Sequence, residues 1–402
     1  MSSSSLRAFA RSLRFKIDRL RAISTYKNMF SGNVENLTFS KPSLNKPHVL
    51  FVTSNGAGMG HITRCMAIAH SGSKDFHASF VTLSSSAEVI GQQGFEYLHF
   101  ASSGTTGQPA RVWNNNFYQF FNELTRKNHF DAVVFDGTWI YRGLLDILVK
   151  KPDLKLVWLR RGLWKKSASI DQLPEMEAYC AQILTPWDIG DRLDEGALSQ
   201  RKTQTQVRGI VLSNGALFSR ESALEELRLA PDRNYALVQL GAGNINDISD
   251  IRQKVTTAIR VQSKGSVIPV IASSPLSNHE QSDENSISIR KYPISPYLRA
   301  FDFVVSAAGY NSIHEIIKWE VPSLVIPNLN ASTDDQKTRA DALCDDIKHF
   351  TALSDNEIDT SIGALLGWSG NRVQSTKQVA GYLKFIDNGN EAARAISETI
   401  RL

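Results

Sequence analysis

Two apolar, β-rich runs, each followed at once by a glycine loop, constrain this chain more than any other feature. His48–Ser54 (HVLFVTS) leads into NGAGMGH at residues 55–61, and Tyr235–Leu240 (YALVQL) leads into GAGN at residues 241–244. Short runs without polar alternation suit strands buried on both faces, which occur in parallel sheets covered by helices. Further runs follow at Ala78–Leu83, Ala132–Phe135 and Leu154–Leu159, and then at Val267–Ile271, Phe303–Ser306 and Ser323–Ile326. Helix-capable sequence separates each from the next, so the pattern predicts two similar doubly wound α/β halves.

The expected organisation is an N-terminal extension and linker over residues 1–46, a first α/β domain over 47–212, a connector over 213–232, a second α/β domain over 233–385 and a C-terminal helix over 386–402. The extension carries nine Lys/Arg against Asp18 and Glu35, with Leu6, Phe9, Leu13, Ile17 and Leu20 at helical spacing. This is a basic amphipathic helix, which fits an anionic membrane surface through residues 1–30. A cleaved organelle transit peptide and a partner-binding extension are the alternatives. Residues 31–46 read as a linker, with Pro42 and Pro47 preventing a continuous helix into the body.

Without the extension, the chain holds 36 basic and 38 acidic residues, a net of −2, which argues against a nucleic-acid partner. No run approaches the roughly 20 apolar residues of a membrane-spanning helix. Cys65, Cys180 and Cys344 are widely spaced and form no CxxC pair, so neither a disulfide framework nor a structural zinc site is expected. The location that fits is cytoplasmic and peripheral on the inner face of a membrane, with an organelle the alternative if the tail is a transit peptide.

The first loop reads G-x-G-x-G-H and delivers His61 at a helix start, at the carboxyl edge of the sheet where open α/β folds bind ligands. The dinucleotide pattern G-x-G-x-x-G is absent, and no acidic residue follows the strand ending at Leu83, so a dehydrogenase is disfavoured. A helix-capping histidine without chemistry is the alternative role. In the second half, Gly241, Gly243 and Asn244 form a loop whose free N–H groups suit a phosphate. The run Ser306–Glu315 (SAAGYNSIHE) passes from strand to helix, putting Asn311 and Ser312 near a helix N-terminus that favours an anion. Glu315, about a turn further in, can accept hydrogen bonds from vicinal hydroxyls; its alternative role is a charge complementing the helix dipole. Asp334, Asp335 and Gln336 open another helix with side chains suited to sugar hydroxyls. The doublets Asp334–Asp335 and Asp345–Asp346 lack a nearby third ligand, so no metal is expected.

In order, GxGxGHxxR, a second-half glycine loop and AGYNSxxExxxxxVPxxxxPxxxxxxxDQxxRA resemble the nucleotide-sugar glycosyltransferases of the GT-B fold. Both the peptidoglycan (lipid II) N-acetylglucosaminyltransferase and the UDP-glycosyltransferases are similar over His48 to the C-terminus, most closely over Val304–Ala340. The resemblance implies two Rossmann-like domains facing a cleft, an acceptor domain followed by a donor domain. It implies His61 as general base and Asp136 as its partner. Gly241, Gly243, Asn244, Gly309, Asn311 and Ser312 would bind the donor diphosphate and Glu315 the ribose. Tyr292 and Ile294 would lie near the base, usually uracil, and Asp335 with Gln336 would bind the sugar.

The family's phosphate-contacting histidine or arginine is here Ala307, and the segment from Pro327 to Asp335 is longer than in the plant signature, which makes Asp334 an alternative sugar contact. Gly58, Gly60, Arg64, Arg160 and Arg161 are the expected acceptor-loop residues. The implied reaction is metal-independent, inverting transfer from a UDP-sugar, with no cofactor, to a glycan, lipid-linked or anionic polymer acceptor of the cell envelope. A UDP-N-acetylglucosamine 2-epimerase-like isomerase and a silent nucleotide-sugar-binding scaffold are the alternatives.

Overall fold

The structure is a computed structural model and describes residues 26–43, 46–54, 59–213, 217–241, 249–273, 286–330, 334–344, 349–368 and 381–402. The basic helix expected in the first 25 residues, and Gly58, Gly243 and Asn244, lie outside the described residues.

Eight strands form the N-terminal sheet: β1 (Phe30–Gly32), β2 (His48–Thr53), β3 (His77–Thr82), β4 (Tyr97–Phe100), β5 (Ala132–Asp136), β6 (Lys155–Leu159), β7 (Gln182–Pro186) and β8 (Thr205–Val207). Their order is β1-β4-β3-β2-β5-β6-β7-β8, parallel except for β1. All six residues of β2 are buried, as its unbroken apolar run requires of a strand flanked on both sides. The C-terminal sheet is formed by β10 (Asn234–Gln239), β11 (Val267–Ala272), β12 (Ile287–Ile289), β13 (Phe303–Ala307), β14 (Ser323–Ile326) and β15 (His349–Thr351) in the order β12-β11-β10-β13-β14-β15. Each sheet therefore reverses direction beside its first long strand, between β2 and β5 and between β10 and β13. Such switch points leave a crevice at the strand carboxyl ends.

The N-terminal boundary differs from the linker expected over residues 31–46. Tyr26, Met29, Leu37 and Phe39 enter the N-terminal core, and β1 adds an antiparallel edge to β4. Asn128 ties this segment down, its Oδ1 accepting from the Phe39 N–H at 2.9 Å and its amide donating to the Leu37 carbonyl at 2.7 Å. The aromatic helix Ala110–Lys127 leaves an apolar flank that these residues cover.

The segment expected as a connector over 213–232 also contributes to a core. Helix Arg220–Glu226 packs Ala223 and Leu224 with Leu227, Leu229, Tyr235 and Leu237 beneath the C-terminal sheet. The chain has already joined that half at Phe218, whose ring stacks on Tyr297 at 4.9 Å.

The C-terminus crosses back. Strand β16 (Ile386–Asp387) pairs with β9 (Gly209–Ile210), and helix Asn390–Arg401 lies on helix Gly60–Ser71 and on β6 and β7. Gly389 at the turn has φ +94°, and a Cβ there would meet the Ile68 backbone at 2.9 Å. Both the left-handed conformation and the close approach require glycine. Among the described residues, no helix is long and apolar enough to cross a membrane.

Candidate active site

The N-terminal switch point brings His61 and Asp136 together. Asp136 ends β5 in register with Thr53, the last residue of β2, while His61 stands in the first turn of helix Gly60–Ser71. His61 Nδ1 lies 2.6 Å from Asp136 Oδ1, and the imidazole keeps 13% of its surface exposed whereas Asp136 is buried. Burial alone would raise the Asp136 carboxyl, but Arg64 and then His61 hold it below its ordinary range. Burial lowers the His61 imidazole, against the opposing pull of Asp136. The pair is thus a carboxylate beside a neutral imidazole, the state a general base needs near neutral pH.

Arg64 departs from its expected place in an acceptor loop. Its guanidinium turns inward and spans Asp136, with Nε 3.0 Å from Oδ2 and Nη2 2.8 Å from Oδ1. Arg160 departs likewise, being fully buried over the Trp158 ring with bonds to Glu177 and Gln204. In both cases hydrogen-bond acceptors inside the fold hold the charge that was expected to face the acceptor substrate. Arg161 remains partly exposed and reaches across to Asp334, Nη1 to Oδ1 at 3.2 Å.

The C-terminal switch point faces this group. Helix Tyr310–Trp319 starts after β13, with Gly309 as its cap. Among the described residues, a Cβ at Gly309 would meet nothing within 4 Å, so their packing does not require glycine there. Gly241, by contrast, has φ +96° and needs glycine for its backbone. Asn311 Nδ2 donates to the Gly60 carbonyl at 3.4 Å across the two halves, while its buried Oδ1 has no partner among the described residues. Ser312 stands beside it in the first turn. Glu315 is buried, and burial pushes its carboxyl up to about 8 against the opposing charge of Lys318.

The remaining expected contacts are engaged within the protein. Tyr292 bonds through its hydroxyl to Thr63 Oγ1 at 2.7 Å, again across the halves, and Ile294 is part of the C-terminal core rather than a surface facing a base. Asp335 Oδ1 caps its own helix by accepting from the Thr338 N–H at 3.1 Å. Gln336 Oε1 accepts from the Asn328 N–H at 2.9 Å. Asp334 is bound by Arg339 as well as Arg161, and these two cations, against the effect of burial, keep its carboxyl well below the usual carboxylate range.

Sequence reasoning missed Asp188, Tyr310 and Arg339. The Tyr310 ring lies 5.2 Å from the Arg64 guanidinium, and its hydroxyl accepts from the Ile210 N–H at 2.9 Å and donates to the Trp187 carbonyl at 3.2 Å. Arg339, fully buried, pairs with Asp188 and Asp334 and donates to the Ala308 carbonyl at 2.8 Å. Among the described residues, no group of three or more His, Cys, Asp or Glu could hold a metal ion.

Residues 213–361 match the model of the glycosyltransferase family 28 C-terminal domain. No curated protein sequence matches the chain. Solved structures share its fold. The glycotransferase of kitacinnamycin aligns with a TM-score of 0.60 at 13% identity, over 89% of this chain and 100% of its own. A glycosyltransferase from Streptomyces nogalater aligns with a TM-score of 0.54 at 14% identity, over 88% and 99%. The spinosyn rhamnosyltransferase, solved with thymidine diphosphate, aligns with a TM-score of 0.52 at 15% identity, over 88% and 96%. The architecture is that of the GT-B nucleotide-sugar glycosyltransferases.

Proposed function

We propose, from the GT-B architecture and the family 28 match of the C-terminal half, that this chain transfers a sugar from a pyrimidine nucleoside diphosphate to an acceptor hydroxyl with inversion at the anomeric carbon. The observation that carries this reading is the 2.6 Å contact between His61 and Asp136 at one switch point, opposite a helix start at the other. In the proposed reaction, His61 Nε2 removes the acceptor proton, and the acceptor oxygen displaces the nucleoside diphosphate from the opposite face. Asp136 stabilises the imidazolium that forms. The departing diphosphate lies against the Tyr310–Trp319 helix N-terminus, whose N–H groups take its charge without a metal. Glu315 holds the ribose.

The acceptor proposed is a cell-envelope glycan, glycolipid or phosphate-bearing polymer, approached with the help of the basic N-terminal segment. Support for this comes from the tail's charge and from Arg161 beside the dyad. The membrane assignment fits a peripheral protein of the inner leaflet.

Calorimetric titration of the metal-free protein with uridine and thymidine diphosphates and their sugars tests the donor half. Micromolar binding, lost in Glu315→Ala, is expected. Absence of binding to every nucleotide would overturn the reading and favour a scaffold, while conversion of a donor sugar without acceptor would favour the epimerase.

A further inference from the structure

A buried arginine on the general-base pair requires an explanation that proton abstraction by His61 alone does not supply. Arg64 exposes 1% of its surface and lies three residues beyond His61 on the same helix. Its Nε and Nη2 donate to the two oxygens of Asp136 at 3.0 and 2.8 Å. Its Nη2 also stands 3.1 Å from His61 Nδ1. A guanidinium can only donate, and an ionised carboxylate can only accept.

We propose that Arg64 is a positioning residue that keeps Asp136 an acceptor on both oxygens and so holds His61 as the neutral Nδ1–H tautomer, with Nε2 free to take the acceptor proton. This rests on the reading of His61 as the base. Because both Asp136 oxygens already accept from Arg64, the proton in the short His61–Asp136 contact belongs to Nδ1. The two donors converge on Oδ1, which fixes the plane of the ring.

Charge balance gives the second part of the argument. With His61 neutral, Arg64 and Asp136 cancel inside a buried group. Protonating His61 would leave a net positive charge there, and Arg161 after β6 adds to that cost. The remaining neighbours leave the balance unchanged. Cys65, on the same helix, lies with Sγ 4.0 Å from Asp136 Oδ2 and stays a thiol through burial. Tyr310, from the opposite half, covers Arg64 with its ring, and Asp188 and Arg339 beyond Tyr310 pair with each other. An Asp–His pair without Arg64 would carry a buried net negative charge and would bind a proton more tightly.

The test is a pH titration of the full chain labelled with ¹⁵N-histidine, followed by long-range ¹H–¹⁵N correlation, with His61→Ala assigning the signals. In the parent protein at neutral pH, Nδ1 protonated and Nε2 bare is the expected pattern. In Arg64→Met, the pair should take up its proton at a pH higher by at least about one unit, the scale of one lost close charge. Arg64→Lys, which keeps the charge, should titrate near the parent. An Nε2–H tautomer in the parent overturns the proposal without any variant, so failure of Arg64→Met to fold leaves it decidable. An unshifted titration in Arg64→Met overturns it as well. Nucleotide binding is read separately: its absence beside the expected titration removes the transferase reading and leaves the Arg64 assignment, whereas the converse removes the assignment alone.

Discussion

Arg339 of the C-terminal half closes on Asp188 of the N-terminal half, Nη2 to Oδ2 at 2.8 Å, and neither side chain reaches solvent. The same guanidinium binds Asp334, which in turn binds Arg161 of the first half. A chain of four alternating charges therefore joins the halves directly behind the helix start at Tyr310. Burying these charges is costly, and attraction alone makes such a chain weak evidence for net stability; leaving one member alone is what strongly destabilises.

Arg339→Met should accordingly lower unfolding stability by roughly 3–5 kcal/mol, the range for breaking a buried ion pair. Asp188 would remain without its cation, and Asp334 would keep only Arg161. The double variant Arg339→Met with Asp188→Leu should recover part of the loss, because the uncompensated charge at Asp188 is then gone. Urea unfolding of the single and double variants checks both expectations. A single-variant loss below about 1 kcal/mol would mean that water reaches the pair.

Much of the architecture was legible because buried parallel strands carry unbroken apolar runs. The expected strand at Tyr235–Leu240 is observed at Asn234–Gln239, and the one at Phe303–Ser306 at Phe303–Ala307. The unpredicted strands are short and mostly lie toward the sheet edges: Tyr97–Phe100 alternates half-buried and buried residues, and Thr205–Val207 is mostly polar and exposed. For the site, it was the family resemblance that paired His61 with Asp136, and the two side chains do meet at 2.6 Å. Side-chain direction was not legible. Arg64, expected to face the acceptor, turns inward because the buried Asp136 carboxylate lies beside it, a proximity that no sequence spacing reports. Arg339 escaped for a similar reason, since the helix Gln336–Cys344 has no apolar stripe to signal that one of its charges is buried.

Replacing His61 by Ala should lower turnover by roughly 10²–10⁴, the contribution of a positioned general base, with nucleotide affinity unchanged. Asp136→Asn should cost stability as well as turnover, because it removes the carboxylate that compensates buried Arg64. Steady-state transfer assays with calorimetric nucleotide titration separate the two effects. Unchanged turnover in His61→Ala would remove the histidine from the chemistry.

Nucleotide binding should be linked to a proton through Glu315. Burial raises this carboxyl to about 8, so below that pH it is mainly protonated in the free protein. Two ribose hydroxyls donating to it require the carboxylate, and binding should then release a proton. The sign follows: affinity rises as pH increases toward about 8 and levels off above it. Lys318, lowered by burial to about 8, already carries its proton at neutral pH and does not absorb the one released. Calorimetry at neutral pH in buffers of different ionisation enthalpy should report a release approaching one proton per nucleotide. Glu315→Gln should abolish this linkage. Binding heats that do not vary with buffer would place the ribose elsewhere.

The position of the N-terminal core segment determines how the tail must be tested. Phe39 is buried against Phe130 and His48, with ring centroids at 6.2 and 6.3 Å, and Tyr26 and Met29 are buried in the same core cluster. Phe39→Ala should cost roughly 3–5 kcal/mol, the range for emptying a buried aromatic site. Deleting residues 1–46 removes this segment entirely and should lower the thermal midpoint by many degrees. Deleting residues 1–25 leaves Tyr26 onward in place and should leave the midpoint unchanged. Only the shorter deletion can therefore isolate membrane attachment from folding. In flotation with phosphatidylserine-containing vesicles, the full chain should float and return to solution at high salt, and the 1–25 deletion should remain in solution throughout. If both forms stay in solution from the start, the tail is not a membrane anchor.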